Sequence, residues 1–133
     1  MKGNKLLKYV LPLLVIFLLD KCEMPQKSLN LSEADNRKQF ILSKEGEIQI
    51  ALEAIPSAGY NWTVSNIDTN LIKQIGEMKF KPESKKLGSP GKQIFHFRST
   101  QTGKIVLRLI YHRPWEREKP PEDTFEVTIQ VVE

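Results

Sequence analysis

The chain has 133 residues, the size of one domain, with 40% apolar residues, 27% charged residues and a formal net charge of +4. That balance excludes a disordered or fibrous chain. A single Cys excludes an internal disulfide and a Cys-rich zinc site, and two His residues leave little material for catalysis.

Lys2, Lys5 and Lys8 open the chain, followed by an apolar run of 11 residues from Tyr9 to Leu19. A basic start before a short apolar stretch reads as an export signal, since a bilayer span needs about 20 apolar residues. Cys22 follows directly, which resembles a bacterial lipoprotein signal, although Asp20 and Lys21 stand where such signals carry small residues. Residues 1–22 are therefore expected to be a signal peptide, with three outcomes open: lipoprotein-type processing at Cys22, cleavage elsewhere, or retention as an anchor. Cys22 is the candidate lipidation site and the N-terminus the candidate membrane attachment. The expected destination is the periplasm, the cell envelope or the outside. Residues 1–21 carry four Lys and one Asp, so the rest holds 16 basic and 15 acidic residues, about +1. No nucleic-acid partner is expected from so small an excess. Lys79, Lys81, Lys85 and Lys86 cluster, and read as solvated charges around a turn.

Residues 23–38 are polar and without periodicity, and read as a flexible tether. From Gln39 the pattern alternates with period two. Phe40 and Leu42 precede a turn at Lys44-Glu45-Gly46, and Ile48, Ile50 and Leu52 follow it. Tyr60, Trp62 and Val64 alternate next, then comes a weaker run from Ile75 to Phe80. Phe95 and Phe97, then Ile105 to Tyr111, then Phe125 to Val131 complete the set. About seven short strands and no helical period predict an all-β domain over 39–133. Two antiparallel sheets packed face to face fit best. With no disulfide to tie the sheets, Trp62, Phe95 and Phe97 are expected to dominate the core, each worth roughly 1.5–3 kcal/mol.

Three connecting segments are unusual. Ile55-Pro56-Ser57-Ala58-Gly59-Tyr60-Asn61-Trp62 is a rigid turn with small side chains at its tip. Leu87-Gly88-Ser89-Pro90-Gly91 lets backbone approach a partner closely. Tyr111-His112-Arg113-Pro114-Trp115-Glu116 presents a Trp and an Arg on a Pro-stiffened loop, the composition of an interface hot spot.

Taken in order, these segments resemble the chagasin family of cysteine-peptidase inhibitors. Pro56, Ser57, Gly59, Tyr60 and Trp62 match its first loop motif. Gly88 and Gly91 match the second, and Tyr111, Arg113, Pro114 and Trp115 the third. The resemblance runs from about Gln39 to Val132. It implies an immunoglobulin-like fold and a monomer that blocks papain-like peptidases reversibly and competitively, without cofactor or metal. The implied contact residues are Pro56, Ser57, Ala58, Gly59, Tyr60, Gly88, Gly91, Arg113, Pro114 and Trp115, with Trp115 the main anchor. Ile55, Ala58 and Pro90 depart from the family's Asn, Thr and Gly. A lost hydroxyl at Ala58 would cost about 1 kcal/mol. The alternative is an exported immunoglobulin-like adhesion module that uses the same Trp115 patch for another ligand.

An enzyme is not expected. A nucleophile needs a base in reach. Cys22 lies in the leader, His96 alternates with Phe95 and Phe97 and so faces outward, and no acid pairs with His112 or Ser57 in a recognisable pattern. Glu116, Glu118, Glu122 and Asp123 read as an exposed hairpin loop.

Overall fold

A computed structural model describes residues 24–133; the signal segment and Cys22 lie outside the described residues. The strands are β1 (Gln26–Leu31), β2 (Gln39–Ala54), β3 (Asn61–Asn66), β4 (Ile72–Gln74), β5 (Lys79–Pro82), β6 (Gly91–Ser99), β7 (Gly103–His112) and β8 (Asp123–Val132). Among the described residues the only helical elements are single 3-10 turns at Glu33–Asp35 and Pro56–Ala58. The domain is all-β, as its period-two patterning requires.

That period places one face of each strand in a common core. Phe125, Val127, Ile129 and Val131 of β8 line it beside Ile105, Leu107 and Leu109 of β7. Trp62, Phe95 and Phe97 are 5%, 3% and 0% exposed, so the expected aromatic centre is formed. His96, between the two Phe residues, lies on the opposite face and is half-buried.

The hydrogen-bonded order is β3-β7-β8-β2-β6-β4, with β1 also on β2 and β5 also on β6. The long β2 joins the two halves. Gln39–Ser43 run beside β8, while Glu47–Ala54 run beside β6. The expected turn at Lys44-Glu45-Gly46 is thus a kink within one strand. Glu45 takes a positive φ of 65°, and a side chain at Gly46 would meet Leu42 and the Ser43 carbonyl. The buried Ser99 hydroxyl staples the kink, donating to the Ser43 carbonyl at 3.1 Å and lying 3.5 Å from that of Gly46. The sheet then curls until its ends meet: the Trp62 N–H on β3 donates to Gln93 Oε1 on β6 at 2.7 Å. The result is the immunoglobulin-like sandwich.

Three further expectations are corrected. The pairing is not wholly antiparallel, because β2 runs parallel to both β1 and β8. Residues 23–38 are not simply a tether: β1 docks with Leu29 opposite Ile48 and Leu31 opposite Ile50, burying both Leu side chains. The Glu33 carboxylate also accepts the Glu53 N–H of β2. Finally, the Ile75–Phe80 run divides into β4 and β5, with Gly76 at φ 69° between them.

Candidate functional site

The first loop is a single tight turn. The Ala58 N–H donates to the Ile55 carbonyl at 3.0 Å and the Gly59 N–H to that of Pro56 at 2.9 Å. Gly59 then reverses the chain at φ +87°, a left-handed conformation that favours Gly. The Ile55 N–H donates to the Tyr111 hydroxyl at 3.0 Å. This bond from the third segment braces the loop where Ile55 has no polar side chain of its own.

Beneath the loop lies an aromatic column. Trp62 stacks on Tyr111 with ring centres 5.0 Å apart, and Tyr60 packs on the same ring at 5.4 Å. The Trp62 indole N–H donates to the Glu53 carbonyl at 2.9 Å. Gln93, fully buried, accepts from the Trp62 backbone and donates to Asn61 Oδ1 at 2.8 Å. A buried amide with both ends satisfied fixes the start of β3, and hence the loop above it.

The third loop is fastened to the first. Arg113 Nε donates to the Ala58 carbonyl at 3.1 Å, and its guanidinium lies 4.4 Å above the Tyr60 ring. Its Nη1 donates to Glu116 Oε1 at 3.2 Å, while Lys119 Nζ holds Glu116 Oε2 at 2.8 Å. The Lys119 hydrogen bond, helped by Arg113, keeps the Glu116 carboxyl below its ordinary range; Glu116 in turn raises Lys119. Pro114 lies within the turn closed by the Glu116 N–H on the Arg113 carbonyl at 3.0 Å. Trp115 is 68% exposed, yet its ring edge sits on Gly59: a Cβ there would lie 2.4 Å from Cη2. Glycine is required at 59 by backbone angle and by contact alike.

The second loop is braced mainly by itself. The Ser89 hydroxyl accepts the Ser84 N–H at 3.1 Å and donates to the Pro90 carbonyl at 2.9 Å. The Glu83 N–H also donates to the Pro90 carbonyl, at 2.9 Å, so Pro90 serves the loop as an acceptor. The Ser57 hydroxyl reaches across to the Gly88 carbonyl at 3.2 Å. Leu87 is fully exposed at the tip.

Nine of the ten expected contact residues therefore meet at one end of the sandwich: Pro56, Ser57, Ala58, Gly59, Tyr60, Gly88, Arg113, Pro114 and Trp115. Gly91 differs. It is buried at the start of β6, where a Cβ would lie 2.3 Å from the Lys81 carbonyl. Its small size serves the approach of β5 to β6 rather than an outer surface. Sequence reading did not single out Tyr111, Gln93 or Glu116 as bracing residues. The one available signal was Gln93, a polar residue in phase with Phe95 and Phe97.

The concavity beside these loops, lined by Tyr60, His112, Arg113, Glu116 and Lys119 among others, holds only about 80 Å³. Small-molecule sites hold roughly 300 Å³ or more. His112 is engaged with the Thr63 hydroxyl at 3.0 Å. A second, open hollow on the other side of the first loop, lined by Ile55, Trp62, Glu83, Pro90 and Tyr111 among others, holds about 310 Å³. The protruding, pre-braced surface with its exposed Trp has the character of a protein-binding module.

The profile described as Chagasin family peptidase inhibitor I42 matches residues 41–129, and the chain belongs to that family. It is thus a peptidase-inhibitor family protein and not an enzyme. Amoebiasin-2 of Entamoeba histolytica is 30% identical over 93 residues, covering 68% of this chain and 75% of that protein. Amoebiasin-1 of the same organism is 27% identical over 89 residues, covering 65% of this chain and 84% of that protein. The crystal structure of the E. histolytica cysteine protease inhibitor EhICP2 superposes with a TM-score of 0.72 at 24% identity, over 82% of this chain and 100% of that one. PbICP-C, solved in complex with falcipain-2, shares the fold with a TM-score of 0.55 at 20% identity, over 80% of this chain and 100% of that one.

Proposed function

We propose that this protein is a reversible, competitive inhibitor of papain-like cysteine peptidases that fills the active-site cleft with its three loops. The observation that carries the reading is the exposed Trp115 seated on Gly59, which joins an apolar anchor to a small-residue turn in one rigid wedge. The Pro56–Tyr60 loop enters the cleft, and small Ala58 and Gly59 let backbone lie near the catalytic cysteine without offering an extended peptide for cleavage. The Gly88 loop meets one wall and Trp115 the other, with Arg113 adding polar contact. Because Arg113 already holds Ala58 and Tyr111 already holds Ile55, little ordering entropy remains to be lost on binding. Family membership supports peptidase inhibition, and a relative of the same fold was solved on a peptidase. The leader supports export to the periplasm, envelope or outside, with Cys22 as the candidate lipid attachment point; the protein would act as a monomer.

The test is a titration of residues 23–133 against papain and a cathepsin-L-like enzyme. Competitive inhibition with a nanomolar constant is expected, as for protein inhibitors of this kind of interface. A folded domain that inhibits neither enzyme overturns the reading in favour of an adhesion module.

A further inference from the structure

The β5–β6 hairpin carries a charge distribution that its own fold does not use. Residues 79–92 hold five Lys and one Glu, although residues 22–133 as a whole carry only about +1. Lys79, Lys81, Lys85, Lys86 and Lys92 are all exposed. The strand register sets Lys81 directly opposite Lys92, an arrangement of like charges that costs stability. None of the five forms an ion pair among the described residues. The third loop is built the other way: its Arg113 and Lys119 are both ion-paired with Glu116. The basic ridge flanks the wedge, because Leu87 and Gly88 follow Lys86 directly and Gly88 is tied to Ser57 of the first loop.

We propose that this ridge is an electrostatic docking surface for the target, and that it selects papain-like peptidases whose cleft rim, on the side met by the second loop, is acidic. The proposal rests on the inhibitory reading above and adds the charge class of the partner. Unpaired charges at the edge of an interface act chiefly by steering encounter, so the effect belongs to the association rate and is screened by salt.

The experiment is stopped-flow association of the purified inhibitor with one acidic and one basic papain-like peptidase, from about 20 to about 300 mM salt. The wild type is compared with the Lys81→Gln/Lys85→Gln/Lys86→Gln variant. Toward the acidic enzyme, wild-type association should fall about tenfold over that salt range, and the variant should start about tenfold slower with a flat salt profile. Dissociation rates should be unchanged, and the melting temperature should be unchanged or slightly raised, because Lys81→Gln relieves the like charge opposite Lys92. The wild-type salt profile is a readout independent of the variant's folding. Flat wild-type association toward both enzymes, with inhibition intact, overturns the docking surface and leaves the inhibitory reading standing. A charge-dependent affinity for anionic vesicles alone, with unchanged peptidase association, also overturns it. Absence of inhibition by the wild type overturns both.

Discussion

The first and third loops are joined by contacts between residues about 55 positions apart in sequence, from Arg113 to Ala58 and from Tyr111 to Ile55. The second loop is closed by serine bonds spanning five residues and meets its neighbour through the single Ser57–Gly88 bond. One half of the binding end is thus set by the packed fold beneath it, and the other by its own short-range geometry. Rigidity is placed where an apolar anchor has to arrive already oriented. An arm that offers backbone and charge can be held by less.

Substitutions can break this contrast. Trp115→Ala should raise the inhibition constant at least tenfold, about 1.4 kcal/mol, with little change in melting temperature because the ring is largely exposed. An unchanged constant would remove the anchor from the rigid half. Gly59→Ala forces a methyl group into a left-handed position and against the Trp115 ring. It should weaken inhibition about fivefold and lower the melting temperature by a few degrees. A Gly59→Ala protein of full potency would show that the two loops are not one body.

Glu116 sharpens the contrast through pH. Its carboxyl is held below its ordinary value of 4.5 by Lys119 and Arg113, so its bracing is fully present above that value and is lost as pH falls through the lowered one. Emission from Trp115 should therefore change only below that ordinary value, and Glu116→Gln should abolish that transition and weaken inhibition about twofold at neutral pH. An identical fluorescence titration in both proteins would exclude Glu116 as the brace. Ser57→Ala should have the smallest effect, less than about twofold in the inhibition constant, since it removes one exposed hydrogen bond. A loss matching that of Trp115→Ala would mean that the second loop depends on its neighbour after all.

Legibility in the sequence followed the same division. β6, β7 and β8 could be read directly, because long alternation has a single outcome when one face is buried. β1 escaped notice because only Leu29 and Leu31 alternate in an otherwise polar stretch, and their burial depends on β2 being present to receive them. The kink of β2 looked like a turn, since Glu45-Gly46 breaks the pattern whether the chain reverses or merely changes partners. Each loop was recognisable from Pro, Gly and Trp, whose backbone or surface demands are local. The braces were not, because Tyr111, Gln93 and Glu116 act on residues that only tertiary structure brings near. Gly91 was assigned to the surface by its loop context, while the close approach of Lys81 that requires it is set by strand pairing.

β8 is the last strand of the chain and lies in the middle of the hydrogen-bonded order, between β7 and β2. In the backbone ladder, the β3–β7 side of the sheet joins β2 only through it. During synthesis the two halves of the ladder therefore stay unjoined until β8 has emerged, and β8 then closes the sheet between them. Such closure is governed by long-range pairing and is intrinsically slow. Loss of β8 would therefore divide the molecule rather than trim it.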